Sequence, residues 1–261
     1  MNAKQILLPK AVFIADSHYR AQDFGMDCAL LEVLDSFIAS PPPQVFLMGD
    51  IADLFIGHIP SSANFNRYLI DKIDTLSQKC EVFYFEGNHD FGIDCALLPR
   101  VKIYPRIMQP ALFNFESKIY ALAHGDIFID KGYEMYIRTM NSAFILSAFR
   151  LLDLLSFGRI YRFANAKVNA KKIKHLDFAK CNEGGFYDFA KSRAIKYVKS
   201  IKKSSIADIS GINGIIEGHF HIGQQMKVEI DTSNISNGRI NNIDYISLPS
   251  FYCDKRFFTL L

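Results

Sequence analysis

The sequence is poor in the features that mark secreted and membrane-spanning proteins. Its five cysteines are an odd number and contain no C-x-x-C pair, so neither a disulfide framework nor a redox motif is indicated. The longest apolar run, residues 143–157, contains Arg150 and Asp153 and is shorter than the roughly 20 residues of a spanning helix. The apolar stretch near the N-terminus is broken by Pro9 and Lys10, unlike a secretory signal peptide. We therefore expect a cytoplasmic protein with reduced cysteines.

The net charge is also small, and a formal value of +3 at pH 7 indicates no particular partner. The chain has 261 residues, of which 49% are hydrophobic and 22% are charged. A chain of this length and composition can bury a sizeable core without stabilising crosslinks. We therefore predict one globular domain over residues 1–261.

The first 126 residues alternate short apolar runs with helical stretches, which favours a layered α/β fold. The apolar runs predict buried strands at Val12–Ala15, Val45–Met48, Val82–Phe85, Ile119–Ala123 and Ile215–Glu217. Helices are predicted at residues 26–39 and 64–78. Three further strands are predicted at Gln225–Ile230, Ile243–Leu248 and Arg256–Leu260.

The segment from residue 131 to residue 210 interrupts the series of strands. Its pattern is helical, so we predict a helical cap inserted into the domain. Residues 131–175 contain nine lysines and arginines against two acidic residues, and they enclose the apolar stretch 143–157. An apolar helix with basic neighbours is typical of a protein that touches an anionic membrane surface. Packing within an ordinary cap is the alternative interpretation.

Each of the five apolar strands is followed at once by residue types that ligate metals. The clusters are Asp16-Ser17-His18, Gly49-Asp50, Gly87-Asn88-His89-Asp90, His124-Gly125-Asp126 and Gly218-His219-Phe220-His221. Side chains at the carboxyl ends of strands in one sheet converge on one crevice. Five of the seven histidines lie in these clusters, and only His58 and His175 do not. This joint occurrence predicts a metal site rather than a set of unrelated turns.

The ligand types suit two divalent ions held by mixed nitrogen and oxygen donors. Mn²⁺ is favoured, and Fe, Zn and Mg remain open. Residues two apart in an extended chain point the same way, so Asp16 with His18, and His219 with His221, can each act as a pair. Asp50 can bridge two ions because its two carboxylate oxygens are separate acceptors.

At these motifs the sequence resembles the calcineurin-like metallophosphoesterase superfamily, whose ordered motifs D-x-H, G-D, G-N-H-D, H and G-H-x-H all occur here. The resemblance covers residues 12–126 and 214–221. It implies a four-layer α/β/β/α sandwich with the helical cap as an insertion. It also implies two-metal hydrolysis of a phosphorus–oxygen bond.

The resemblance further implies a role for each site residue. One metal would be held by Asp16, His18, Asp50 and His221, and the other by Asp50, Asn88, His124 and His219. His89 would be the catalytic histidine, which can protonate the leaving oxygen or stabilise charge on the transferring group. Asp90 would orient His89, as carboxylates beside ligating histidines do.

Within the superfamily the chain is most similar to the UDP-2,3-diacylglucosamine pyrophosphohydrolases of lipid A biosynthesis. Residues 49–57, GDIADLFIG, are close to that family's G-D-x-x-[ED]-x-[WF]-I-G, and a helical insertion follows His124-Gly125-Asp126. The resemblance implies release of UMP and 2,3-diacylglucosamine 1-phosphate (lipid X) at the cytoplasmic face of the inner membrane. The implied substrate-binding residues are Asn88, His89, Asp130, Tyr133, Asn165, Lys167, Lys171 and Lys172. One departure is His89, where the best-known branch has arginine.

Other substrates for the same metals remain open: another nucleotide, a phosphodiester, a phosphoprotein or a nucleic acid. A nuclease should show a broad basic groove with stacking aromatics. The positive charge lies instead in the apolar cap, so we expect no nucleic-acid partner. A non-catalytic metal-binding scaffold is disfavoured by the intact ligand set, and the oligomeric state is left open.

Overall fold

The computed structural model describes residues 5–21, 28–173, 185–203, 212–231 and 240–261. Its strands are β1 (Gln5–Ile6), β2 (Val12–Ile14), β3 (Gln44–Leu47), β4 (Phe55–Ile56), β5 (Glu81–Phe85), β6 (Asp90–Phe91), β7 (Lys102–Tyr104), β8 (Ala111–Phe115), β9 (Lys118–Ala123), β10 (Ile212–Glu217), β11 (Gln224–Asp231), β12 (Ile240–Ser247) and β13 (Phe258–Thr259). Its helices are α1 (Cys28–Ala39), α2 (Pro60–Phe65), α3 (Arg67–Ser77), α4 (Lys131–Met140), α5 (Ala143–Leu155), α6 (Arg159–Asn169), α7 (Gly185–Lys203) and α8 (Phe251–Asp254).

Two sheets form the centre of the molecule. The first has the strand order β13-β2-β3-β5-β7, and the second has the order β1-β8-β9-β10-β12-β11. In the first sheet β2, β3, β5 and β7 are parallel, and in the second β9, β10 and β12 are parallel. Parallel neighbours bring the carboxyl ends of their strands to one edge, which is where the metal-ligating motifs begin.

Alternating side chains of the first sheet build two separate cores, because successive residues of a strand point to opposite faces. Phe13, Phe46 and Phe83 stack in a row between the sheets, with ring centroids 4.6 and 4.5 Å apart. They pack with Phe113 and other residues of the second sheet. The intervening residues, such as Val45 and Leu47, face α1 and α3. This pattern produces the first three layers of the sandwich.

Helix α7 forms the fourth layer. Its buried residues Ala190, Ala194, Tyr197 and Val198 pack with residues of the second sheet such as Ala121 and Ile215. The fold is therefore the predicted α/β/β/α sandwich of the metallophosphoesterase type.

Helix α7 lies within the predicted cap, 131–210, and packs on the second sheet. Of the described helices in that range, α4, α5 and α6 stand away from the sheets, where Leu146 and Tyr161 pack on Ile56, Ile59 and Phe91. Helix α7 belongs to the body because its small residues lie directly on the second sheet. Residues 174–184 and 204–211, which include His175 and Cys181, lie outside the described residues.

Among the helices that the structure describes, none combines the length and the apolar character needed to cross a bilayer.

Candidate metal centre

The ligand residues lie in loops at the strand ends, and several adopt a left-handed backbone. Asp16, His18, Asp50, His219 and His221 have φ between 46° and 66°. They are five of the ten non-glycine residues with positive φ in the described part of the chain. Such conformations are unfavourable for residues with a side chain and are retained where the surrounding structure fixes them. The backbone is therefore shaped to aim these five side chains at one point.

The structure brings the predicted ligands together in overlapping groups. Ligand atoms lie within 4.8 Å of one another in each of the sets Asp16/His18/His221, His18/Asp50/His89 and Asp50/His124/His219. Asn88 joins the last set, since its Oδ1 lies 3.3 Å from His124 Nε2. Asp50 belongs to two sets, as expected of a carboxylate placed between two ions.

Two histidines are held with one ring nitrogen engaged and the other turned inward. His18 Nδ1 donates to Asp53 Oδ1 over 3.2 Å, and His124 Nδ1 donates to the carbonyl of Met48 over 2.8 Å. A hydrogen bond on Nδ1 leaves Nε2 as the ligating atom. His18 Nε2 is buried and has no hydrogen-bond partner among the residues that the structure describes. A buried lone pair of this kind fits a divalent cation.

Two of the ligand candidates favour the protonation state that binds a metal. Burial, together with the neighbouring His124, lowers the pKa of His219 to about 3, so its imidazole is neutral. Burial alone would raise the pKa of Asp50, but His124 and His89 lower it well below its ordinary value. Burial alone would lower the pKa of His124, but Asp50 in turn raises it well above its ordinary value, so a divalent ion would displace a proton from that ring. The donor types present fit two ions of this class.

Glycines allow the loops to approach this closely. A Cβ atom on Gly49 would lie 2.4 Å from His124 Nδ1, and one on Gly87 would lie 2.3 Å from Asp50 Oδ1. Both distances are too short for any side chain. The glycines in G-D and G-N-H-D are therefore required by the packing of the ligands themselves.

The contacts of Asp90 differ from the predicted orienting role. Its buried carboxylate accepts hydrogen bonds from the backbone N–H groups of Asp50, Ile51 and Gly87 and from the hydroxyl of Tyr84. Burial and the charge of Asp50 raise its pKa to about 6. Asp90 therefore fastens the G-D loop to the G-N-H-D loop and does not hold the ring of His89.

Asp53 takes the place predicted for Asp90. Its backbone carbonyl accepts from His89 Nδ1 over 2.6 Å, and its carboxylate accepts from His18 and from Arg20 Nε. Asp53 is not among the site residues predicted from the sequence. The available signal was its place in GDIAD, three residues after Asp50, where a second carboxylate enters the same loop.

The predicted substrate-binding residues fall into two groups. Asn88, His89, Tyr133 and Lys171 line one cavity. The other four do not line it: Asp130, Asn165, Lys167 and Lys172. Asp130 caps α4 by accepting from Tyr133 N over 2.9 Å.

The cavity has a volume of about 360 Å³ and lies between the cap helices and the body. Apart from the four polar residues just named and Asp153, its wall is mainly apolar or aromatic: Leu54, Ile56, Ile59, Phe91, Tyr136, Ile137, Met140, Phe149, Leu152, Ile160, Tyr161, Ala164 and Val168. It opens directly beside the catalytic candidate, His89. Tyr133 contributes a buried hydroxyl that meets no hydrogen-bond partner in the described part of the chain.

Comparison with known proteins identifies the family of this chain. The model of the calcineurin-like phosphoesterase family matches residues 9–223. A protein of Neisseria meningitidis named UDP-2,3-diacylglucosamine hydrolase is 28% identical over 227 residues, which are 81% of this chain and 82% of that protein. A protein of the same name from Shewanella frigidimarina is 23% identical over 219 residues, or 82% of each chain.

Other matches are shorter or more distant. The chain spans about half the length of the relative from Shewanella pealeana, also named UDP-2,3-diacylglucosamine hydrolase, with 27% identity over 131 residues and 53% of that protein covered. A solved dimetal phosphatase from Danio rerio aligns with a TM-score of 0.37 and 15% identity, over 92% of this chain and 87% of that one. The family match spans most of the chain and includes every ligand motif. The chain belongs to the calcineurin-like phosphoesterase family.

Proposed function

We propose that this protein hydrolyses the pyrophosphate bond of UDP-2,3-diacylglucosamine, giving UMP and 2,3-diacylglucosamine 1-phosphate, in lipid A biosynthesis. The observation that carries the proposal is the apolar cavity beside His89. A phosphoesterase for water-soluble esters has no need of an apolar chamber of about 360 Å³ next to its catalytic centre. The names of the relatives supply the same substrate.

The cavity suits a substrate with a charged and an apolar part. Its volume lies within the range of about 300–1,000 Å³ that small-molecule sites occupy. Asn88, His89 and Lys171 bring polar and cationic groups to one part of its wall, and side chains such as Phe149 and Ile160 form an apolar part. A pyrophosphate at His89 would therefore leave an attached acyl chain among apolar side chains.

The metal ions and the residues around His89 would have different roles in the hydrolysis. When bound, two divalent ions supply charge neutralisation at the phosphate and an acidified water, and Mn²⁺ is the ion we favour. Asp53 fixes the ring of His89 through Nδ1, which leaves Nε2 to exchange a proton with the leaving phosphate oxygen. His89 stands where the best-known branch of the UDP-2,3-diacylglucosamine pyrophosphohydrolases has arginine. Unlike a guanidinium, an imidazole can lose its proton near neutral pH, so His89 can exchange a proton.

The direct test is incubation of the purified protein with Mn²⁺ and UDP-2,3-diacylglucosamine, followed by detection of UMP. We expect UMP and the lipid 1-phosphate in equal amounts, with no release in the presence of a chelator. Hydrolysis of bis(p-nitrophenyl) phosphate without release of UMP would contradict the substrate and leave the phosphoesterase class intact.

We also propose that the cap touches an anionic membrane, from which a diacylated substrate would be taken. The apolar cap surface consists of Phe144, Leu151, Leu154, Leu155, Phe157, Ile160 and Phe163, which are 50–84% exposed. Exposed basic residues lie on the same helices or just beyond them: Arg150, Arg159, Arg162, Lys167 and Lys171. Apolar side chains with adjacent cations match the interface of an anionic bilayer.

Binding to vesicles tests this surface. We expect binding to vesicles that contain phosphatidylglycerol and weak binding to vesicles of phosphatidylcholine alone. The double variant Phe144→Ser, Leu155→Ser should bind the anionic vesicles at least about tenfold more weakly, since each side chain loses about 1.5–3 kcal/mol of burial. Ile107→Ser, on the body and 94% exposed in the free protein, is the matched control. Equal binding by the double variant and the control would overturn the membrane proposal.

A further inference from the structure

Arg193 is a buried arginine outside the metal-ligand motifs, and its guanidinium is fully engaged. It lies on α7 with 3% of its surface exposed. Nε and Nη2 donate to the two carboxylate oxygens of Glu217 over 2.8 and 2.5 Å. Nη1 donates to the carbonyl of Ile127 over 2.8 Å, and Nη2 also donates to the carbonyl of Gly125 over 2.9 Å.

The partners of Arg193 belong to two metal-ligand loops. Gly125 directly follows His124, and Glu217 ends β10 just before Gly218 and His219. The guanidinium also lies 4.9 Å from the ring centroid of Phe220, the residue between His219 and His221. One side chain therefore contacts the loop after β9 and the loop after β10 at the same time.

Glu217 is held more firmly than an ordinary ion-pair partner. It is fully buried, and it also accepts hydrogen bonds from the hydroxyls of Tyr197 and Tyr245. A buried ion pair with complete hydrogen bonding fixes geometry, even where it adds little net stability. The pair therefore works as a rigid link between α7 and the end of β10.

The loops that this link joins carry one half of the metal centre. His124 and His219 have ligand atoms within 4.8 Å of each other and of Asp50. His219 has a left-handed backbone, with φ at 66°, so its direction depends on contacts from outside its own loop. Small displacements of ligands weaken metal binding, because a metal site needs its ligands within about 0.5 Å of the productive geometry.

We propose that Arg193 is a positioning residue of the metal centre, which sets the spacing of His124 and His219 and so the affinity of their half for a divalent cation. The other half, formed by Asp16, His18 and His221, depends less on Arg193, because only His221 lies in a loop that Arg193 contacts. The proposal does not depend on which phosphoester the protein hydrolyses. If Arg193 had only a packing role, its substitution would change the free energy of unfolding and leave the metal affinities of both halves as they are in the wild type.

Calorimetric titration of the metal-free protein with Mn²⁺ separates these two roles. We expect two sites in the wild type. In Arg193→Met, one site should bind about 10- to 100-fold more weakly, the usual effect of losing a group that orients ligands, while the other keeps its affinity. Arg193→Lys retains the charge but cannot form the forked contact, so its loss should be intermediate. Turnover of bis(p-nitrophenyl) phosphate by both variants should recover in excess Mn²⁺.

The matched control is Lys196→Met, one helical turn further along α7. Lys196 is exposed and donates to the carbonyl of Phe128, so this change removes a cation and a loop contact without touching Glu217. It should bind Mn²⁺ as the wild type does. Wild-type affinity at both sites in Arg193→Met, or an equal loss at both, would overturn the proposal. If circular dichroism shows that Arg193→Met does not fold, wild-type affinity at both sites in Arg193→Lys overturns it.

Discussion

Asp53 shows how one residue can serve two histidines through different atoms. Its carboxylate engages His18, a metal-ligand candidate, and its backbone carbonyl engages His89, the catalytic candidate. The carboxylate is 3% exposed and also pairs with Arg20 over 2.8 Å. Groups that hold ligating histidines typically affect metal affinity about 10- to 100-fold. The carboxylate Oδ1 also lies 3.8 Å from His89 Nδ1, so a change of this side chain removes the support of His18 and a more distant charge beside His89. It leaves the carbonyl contact of His89 in place.

We predict that Asp53→Asn raises the Mn²⁺ concentration needed for half-maximal turnover of bis(p-nitrophenyl) phosphate by about tenfold or more. The amide loses the charge that supports His18, whereas the backbone carbonyl still holds His89. The turnover number in saturating Mn²⁺ should therefore stay within about threefold of the wild type. Asp71→Asn, at an exposed carboxylate on α3, is the control. An unchanged Mn²⁺ requirement in Asp53→Asn would contradict the role assigned to the carboxylate.

The buried carboxyl of Glu86 should make the stability of the fold depend on pH. This carboxyl is buried, accepts from Ile93 N over 2.8 Å, and has its pKa raised by burial from 4.5 to about 7. Because folding favours the protonated form, stability is full below about pH 4.5 and falls as the pH rises through 7.

The prediction is checked by urea denaturation of the metal-free protein at pH 5 and pH 8. Between these pH values the free energy of unfolding of the wild type should fall by up to about 3 kcal/mol more than that of Glu86→Gln, since one pKa unit corresponds to about 1.4 kcal/mol. Glutamine keeps the acceptor for Ile93 N and has no charge to bury. Parallel losses in the two proteins would show that Glu86 is not the responsible group.

At the residue scale, the convergence of the candidate ligands could be predicted, but some of their hydrogen-bond partners could not. Asp16, His18, Asp50 and His124 follow strand ends, so strand direction alone places them at one edge of the sheets. Asp90 is different, because its partners are backbone N–H groups of a loop about 40 residues earlier in the chain. Spacing within a motif cannot show which distant donors a buried carboxylate meets.

Helices α4, α5 and α6 determine the space beside His89. Ala164 on α6 lines the cavity, whereas Ala166, two residues further along, is exposed. We predict that Ala164→Phe fills the cavity and lowers hydrolysis of UDP-2,3-diacylglucosamine at least about tenfold, with bis(p-nitrophenyl) phosphate little affected.

Steady-state kinetics of both substrates provide the check, and Ala166→Phe is the matched control on the same helix. The control should resemble the wild type with both substrates. Normal hydrolysis of the diacylated substrate by Ala164→Phe would mean that the acyl chains do not enter this cavity.

At the element scale, the sequence predicts whether a segment forms a helix or a strand better than it predicts where that element packs. The helical pattern predicted for residues 131–210 includes residues 185–203, which form α7, yet the place of this helix on the second sheet could not be predicted from periodicity. Small residues such as Ala190 and Ala194 fit against a flat sheet, but the same residues are also common between packed helices. The contacts of α7 with β11 and β12 show that this helix packs on the second sheet.

The metal centre lies where the two sheets meet. Asp16, His18 and Asp50 follow strands of the first sheet, and His124 and His219 follow strands of the second. Ions bound between them would hold the sheets together, and a ligand that binds only the folded state stabilises that state.

We therefore predict that Mn²⁺ raises the melting temperature of the metal-free protein. At about 100 times its dissociation constant, one ion contributes about 2.7 kcal/mol, which corresponds to about 5–10 °C for a chain of this size. Differential scanning fluorimetry with Mn²⁺ against a chelator measures the shift. Ca²⁺, which prefers oxygen ligands, should produce a smaller shift. Equal melting temperatures with Mn²⁺ and with the chelator would contradict a site that spans both sheets.

At the scale of the whole molecule, the α/β character and the place of the site could be predicted, but the strand order could not. β10 follows β9 by about 90 residues and still pairs directly with it, with Ile216 opposite Leu122. Local pattern carries no information about such a partner. The ordered motifs indicated only that the strands before His124 and His219 end close together, since both residues are candidate ligands of one ion.

We infer that Asp50 joins two metal-binding halves into one hydrolytic centre. A direct test is kcat/KM for bis(p-nitrophenyl) phosphate with Asp50→Ala across a range of Mn²⁺ concentrations. Loss of several kcal/mol of transition-state stabilisation predicts a fall of about 10³-fold or more that excess Mn²⁺ does not restore. A folded Asp50→Ala protein with near-normal kcat/KM would contradict the two-metal account.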